Sequence, residues 1–251
     1  MTEGKAIAFS GKRVIITGAG RGLGAALAVV LADKGADLLL TGRSRENLSG
    51  LAESILHRTG RKPQVHLLDM ADVSAVTLFA KQLRDEGRPL DILINNAAQW
   101  LPGRMTDHDA LAISQTIAAN VTGTMLLTRG LIPLLEKSGA GDIMTIVSTS
   151  GLPNARLRTA SVAFTVSKQA QSAMSDGLRQ ELKGGQVRVQ AVFPPDIQDL
   201  SPLDPAWDVA RDAGSAVTNR DVVETIIFAL ERPRHVTLAS IIFDADTGEL
   251  H

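Results

Sequence analysis

The chain has 251 residues, 44% of them hydrophobic, and 26 basic residues balance 27 acidic ones, which leaves no broad field to attract nucleic acid or an anionic membrane. It contains no cysteine, which excludes disulfides, Cys-ligated metal and a thiol nucleophile, and its five histidines show no spacing suited to a metal. With no basic n-region ahead of an apolar segment and no apolar run near the ~20 residues of a membrane span, a cytoplasmic protein is expected.

Short apolar runs at 13–17, 37–41, 65–68, 91–94, 143–147, 187–192 and 240–243 read as strands. Most are continuously apolar rather than alternating, as a parallel sheet covered on both faces requires. Helix-length stretches lie between them, at 22–34, 44–59, 72–86, 107–137, 161–183 and 219–231, with Asp72 and Asn219 placed as caps. This order predicts an α/β fold of one domain, a doubly wound parallel sheet of about seven strands with helices on both faces. Residues 194–218 carry four prolines, and so long an irregular stretch reads as a substrate loop.

The first run leads into Thr17-Gly18-Ala19-Gly20-Arg21-Gly22-Leu23-Gly24 and then directly into a helix. Glycines between a strand and a helix permit a tight turn and let the backbone approach a diphosphate, which then lies on the free N–H groups of the helix. Placement raises this reading above an ordinary glycine-rich loop. A free ribose 2′-OH calls for an Asp or Glu at the end of the second strand, but that strand ends in Gly42-Arg43. Arg43, with Arg21 nearby, suits a 2′-phosphate, so the expected cofactor is NADP(H). Solvated loop arginines are the competing reading.

These motifs resemble the short-chain dehydrogenase/reductase family, over residues 11–244. Thr17, Gly18, Gly22 and Gly24 match its glycine pattern, and Leu68-Asp69-Met70 resembles its segment after the third strand. Asn95-Asn96-Ala97-Ala98 resembles its Asn-Asn-Ala-Gly motif. The resemblance implies a Rossmann-type fold with strand order 3-2-1-4-5-6-7. It implies cofactor contacts at Gly18, Gly20, Arg21, Gly22, Leu23, Gly24, Arg43, Asp69, Met70, Asn95, Ala97, Lys168 and Ile197. It places catalytic roles at Asn120, Ser148 (with Ser150 as alternative), the tyrosine position and Lys168. Residues 221–244 resemble short members acting on small hydroxy acids or amino-acid alcohols. Assembly as a homodimer or homotetramer through helices 107–137 and 161–183 is also implied.

The tyrosine position reads Phe164 in Phe164-Thr165-Val166-Ser167-Lys168, and the chain holds no tyrosine. Tyr and Lys four apart share a helix face, and the ammonium lowers the phenol pKa so that it can exchange a proton with the substrate oxygen. Further departures are a long loop at 152–159 and Pro195 and Asp199 in the segment Pro194-Pro195-Asp196-Ile197-Gln198-Asp199. A carboxylate at Asp199 is unfavourable beside cofactor phosphates unless it turns to solvent. Asn120 reads either as a relay member or as a locally satisfied buried Asn. Ser148 reads as catalytic or as a strand-end cap, and Trp100 and Trp207 as core or pocket wall. Two functions follow. One is an NADP(H)-dependent oxidoreductase acting on a small carbonyl or alcohol, impaired by Phe164. The other is a non-catalytic NADP(H)-binding sensor or partner-binding subunit.

Overall fold

The apolar runs form seven strands in a computed structural model that describes residues 8–154, 159–209 and 215–244. They are β1 (Arg13–Ile16), β2 (Asp37–Gly42), β3 (Gln64–Leu67), β4 (Ile92–Asn95), β5 (Gly141–Ile146), β6 (Val187–Phe193) and β7 (Ser240–Ile242). All pairings are parallel, in the order β3-β2-β1-β4-β5-β6-β7. The central strands bury both faces, so alternate residues feed two different cores. Val14, Ile16, Leu38, Leu40, Ile92 and Ile94 pack with α1 (Gly22–Asp33), α2 (Arg45–Thr59) and α7 (Asn219–Leu230). Ile15, Leu39, Leu93, Ile143 and Val189 pack against α3 (Val73–Glu86) and α5 (Thr124–Lys137) on the other face.

Local chemistry sets the helix starts. Ser44 and Asp72 accept the backbone N–H groups of Asn47 and Ala75, satisfying donors the helix leaves free. Asn219 is not the cap expected of it. Thr218 takes that place, with its N–H and hydroxyl both bonded to Asp221 at 2.8 Å, while the Asn219 amide reaches the Leu200 carbonyl.

The expected helix over 107–137 is also different in detail. It begins as α4 (Ala110–Ile117) under an Asp109 cap and passes through a π-helical turn, Ala118–Gly123, before continuing as α5. Such turns interrupt the regular bonding ladder and are frequent at functional sites. By length and hydropathy this 28-residue helix is long and apolar enough to cross a membrane, which the sequence reading overlooked. In the fold, Leu127, Leu131, Leu134 and Leu135 are spent on the core. Helix α6 (Val162–Glu181) follows β5, capped by Ser161 on the Phe164 N–H.

At the amino ends of β5 and β6, Arg188 pairs with Asp142 at 2.6 Å and donates to the carbonyls of Leu230, Arg232 and Val236. Arg234 joins the same carboxylate. Residues 230–236, part of the segment whose sequence resembled hydroxy-acid enzymes, therefore lie at the end of the sheet opposite the glycine-rich turn.

Candidate active site

In an open parallel sheet, ligands lie outside the carboxyl ends of the strands, where the strand order reverses. Here that point falls between β1 and β4, and the glycine-rich turn leaves β1 beside it. Gly18 has φ +65°, a left-handed conformation that side chains disfavour. A Cβ on Gly24 would lie 2.4 Å from the Gly18 carbonyl oxygen and 2.5 Å from the Asn96 amide nitrogen. The turn is locked from β4: Thr17 Oγ1 accepts the N–H groups of Asn96 and Ala97, and Asn96 Nδ2 donates to the carbonyls of Thr17 and Gly18. Sequence reasoning missed Asn96. It chose Asn95, whose buried amide instead points to Thr128 in α5 at 3.0 Å.

The start of α1 carries no side-chain cap of its own. Arg21, at the N-cap, makes no side-chain cap bond, and the first turn carries no acid. Arg21 and Arg43 are exposed, and neither forms an ion pair with another described residue, unlike Arg13, Arg58 and Arg188. The Asp199 carboxylate lies over the turn, with Oδ1 3.4 Å from where a Cβ on Gly22 would be. Gly20 borders Asn47 of α2, and Leu23 is buried. Beyond β3, Asp69 accepts the Ala71 N–H through one carboxylate oxygen, and Met70 is buried. Ile197 packs on the first core.

Stretch 194–218 is less irregular than expected. Gln198 bridges to Thr218, a short helical turn spans Pro205–Asp208, and Trp207 packs partly buried on the first core; residues 210–214 lie outside the described residues. The long loop at 152–159 likewise includes undescribed residues, 155–158.

At the ends of β4 and β5 a second set of side chains converges. Ser148 follows β5 with φ 153°, outside the regions favoured by residues with a Cβ, and such strain tends to collect at functional sites. Its Oγ accepts the Ser150 N–H at 3.1 Å. The serine turn is pressed onto α6, because a Cβ on Gly151 would lie 2.8 Å from the Lys168 carbonyl oxygen.

Lys168 is 3% exposed. Its Nζ donates to the Ile146 carbonyl at 3.0 Å and to Gln171 Oε1 at 2.9 Å. Burial without a carboxylate partner disfavours the charged form, pushing the amine down to about 7. Gln171 in turn donates to the Asn120 carbonyl at 2.7 Å, an acceptor within the π-helical turn. The Asn120 side chain is fully engaged: Oδ1 accepts the Gln99 N–H, and Nδ2 donates to the Gln99 carbonyl and Ser167 Oγ. These bonds satisfy the buried Asn120 amide within the protein. Gln171 was missed, although it stands three residues beyond Lys168, on the same helix face.

Phe164 is 6% exposed, in a small apolar cluster with Leu101 and Ala163. Trp100 meets its ring edge-on, with centroids 4.5 Å apart at 79°, and is itself 46% exposed. Lys168 Nζ lies 5.6 Å from the Phe164 centroid. The structure thus brings Asn120, Phe164 and Lys168 into one cluster, with the Ser148 turn against it and Trp100 at its open side.

Residues 12–204 match the family model for short chain dehydrogenase. An uncharacterized oxidoreductase of Staphylococcus saprophyticus is 27% identical over 230 residues, which is 92% of this chain and 95% of the relative. A short chain dehydrogenase from Escherichia coli CFT073, solved with NADPH, superposes with a TM-score of 0.80 at 26% identity over 95% of this chain and 99% of that one. A metagenomic short-chain oxidoreductase solved with NADP gives 0.77 at 28% identity, covering 94% and 97%. The parallel sheet, its strand order and the family match agree: the chain belongs to the short-chain dehydrogenase family.

Proposed function

We propose that this protein is an NADP(H)-dependent oxidoreductase that moves a hydride between nicotinamide and a small substrate bound near Phe164 and Trp100. The observation that carries this reading is the uncapped start of α1 behind a glycine turn, with the exposed arginines Arg21 and Arg43, neither ion-paired to another described residue, beside it. These residues fit a dinucleotide: the N–H groups of the turn suit a diphosphate, and the guanidinium of Arg43 suits a 2′-phosphate. The cofactor supplies or accepts the hydride. Lys168, its buried amine held by Ile146 and Gln171, would hold the nicotinamide ribose of a bound cofactor. Asn120 ties the β4 loop to α6 and so fixes the floor of the substrate cleft.

We read Phe164 as standing where the family places its acid/base tyrosine. With a phenyl ring in place of a phenol, the protein binds cofactor but exchanges protons poorly with a carbonyl or alcohol, a loss of ~10²–10⁴-fold in rate. Stretch 194–218 serves as the substrate loop in this reading. The exposed Leu111, Met125, Val162 and Val166 on α4, α5 and α6 support association into a homodimer or homotetramer.

The test pairs binding with turnover. Fluorescence titration should show NADPH binding more tightly than NADH, and Arg43→Ala should remove most of that gap. Phe164→Tyr should then gain reduction of aldehydes or ketones. Equal affinities for the two cofactors would sink the NADP(H) assignment. A Phe164→Tyr protein that binds NADPH and reduces no substrate would favour a non-catalytic binding protein.

A further inference from the structure

A hydride added to a neutral carbonyl leaves an alkoxide, which must collect a proton in the same event. Among the described residues around the cluster, no acid group is aimed at the open side of Phe164. Phe164 has no polar atom. Lys168 directs Nζ to the Ile146 carbonyl and Gln171 Oε1, and Gln171 passes only to the Asn120 carbonyl. Lys168, Gln171 and Asn120 are all buried, and neither a main-chain carbonyl nor a primary amide is an acid at neutral pH. Ser148 is a hydroxyl bonded to a backbone N–H, with no titratable partner among its bonds.

The cluster does offer aromatic surface, carried by Trp100 at 46% exposed over a Phe164 ring that is 6% exposed. The rings of Phe164 and Trp100 stand nearly perpendicular, and Trp100 remains half open. Leu101, Ala112, Ile113, Ala160 and Ala163 pack with Phe164. Aromatic faces in apolar surroundings attract soft organic cations.

Building on the oxidoreductase reading above, we propose that the substrate of this site is an iminium cation, a protonated or N-alkylated imine seated against the Phe164–Trp100 pair. The iminium carbon gains the hydride with its electron pair and forms a C–H bond. The C=N π pair moves onto nitrogen, which becomes a neutral amine. The substrate is reduced and NADPH is oxidised to NADP+, with no proton transferred in the step. Above pH 7 the Lys168 amine is mostly discharged, and there it does not repel a cation at the ring.

The test compares N-methylpyrrolinium, a permanent iminium, with cyclopentanone, its neutral counterpart, using NADPH and the full chain. The expected kcat/KM ratio is at least ~100-fold in favour of the iminium, the scale of a missing general acid. Phe164→Tyr should close that ratio by raising ketone reduction at least ~10-fold. Trp100→Ala should weaken the iminium reaction by about 2–5-fold. Separately from turnover, the inert cation N,N-dimethylpyrrolidinium should quench Trp100 fluorescence in a Trp207→Phe background, with and without NADP+. Comparable rates on the two substrates, or no binding of the inert cation, would overturn the proposal. If Phe164→Tyr reduces the ketone while the starting protein reduces neither substrate, the iminium inference fails and the oxidoreductase reading stands. If both proteins bind NADPH and neither transfers a hydride, both readings fall.

Discussion

Lys168→Met probes the buried amine. The native pKa lies near 7 against 10.5 for a free lysine, because the group is buried without a counter-charge. Between those two values the unfolded chain binds a proton that the native protein does not, so wild-type stability rises with pH across the window. The destabilisation is complete below pH 7 and absent above 10.5. At about 1.36 kcal/mol per unit, the full span is worth about 5 kcal/mol, of which roughly 3 kcal/mol falls between about pH 7 and pH 9.5. Lys168→Met also loses the bonds to Ile146 and Gln171, a cost of about 1 kcal/mol each that does not depend on pH. Urea unfolding of both proteins from about pH 6 to pH 9.5 isolates the titration, since every other group cancels in the difference. The wild type should gain on the variant as pH rises above 7, and the gap should be flat below it. A gap that stays constant from end to end would refute the argument that burial discharges this lysine.

Asp199→Asn should tighten NADPH binding by about 2–5-fold at low ionic strength, because it removes a negative charge from the mouth of the turn at the positive end of α1. Unchanged affinity in a fluorescence titration would mean that the carboxylate turns to solvent when cofactor binds. Gly24→Ala places a methyl group 2.4 Å from the Gly18 carbonyl oxygen. It should destabilise the fold by roughly 1–3 kcal/mol and weaken NADPH binding; a variant that binds and unfolds like the wild type would show that the turn is not held as described.

Some features were legible because they are local. The alternation of apolar runs with helical stretches is written in the period of the sequence, and from it came the parallel sheet and its two covered faces. A glycine-rich turn opening a helix, and an arginine where an acid is absent, need only adjacent residues to be read. The absence of tyrosine is a property of composition and requires no coordinates. What the sequence could not display are contacts between residues distant in the chain. Asn96 and Asn95 are neighbours in one motif, yet one bonds the glycine turn and the other faces Thr128, because successive residues at a strand end point to opposite sides. Asn120 lies in the π-helical turn, and the chain Lys168–Gln171–Asn120 joins that turn to α6, with Gln171 and Asn120 51 residues apart. Its members are hidden from water together, and burial shared among distant segments is what sets the state of a buried charge. The residue types at the site were therefore fixed by the sequence, whereas the protonation of Lys168 and the engagement of Asn120 were decided by packing.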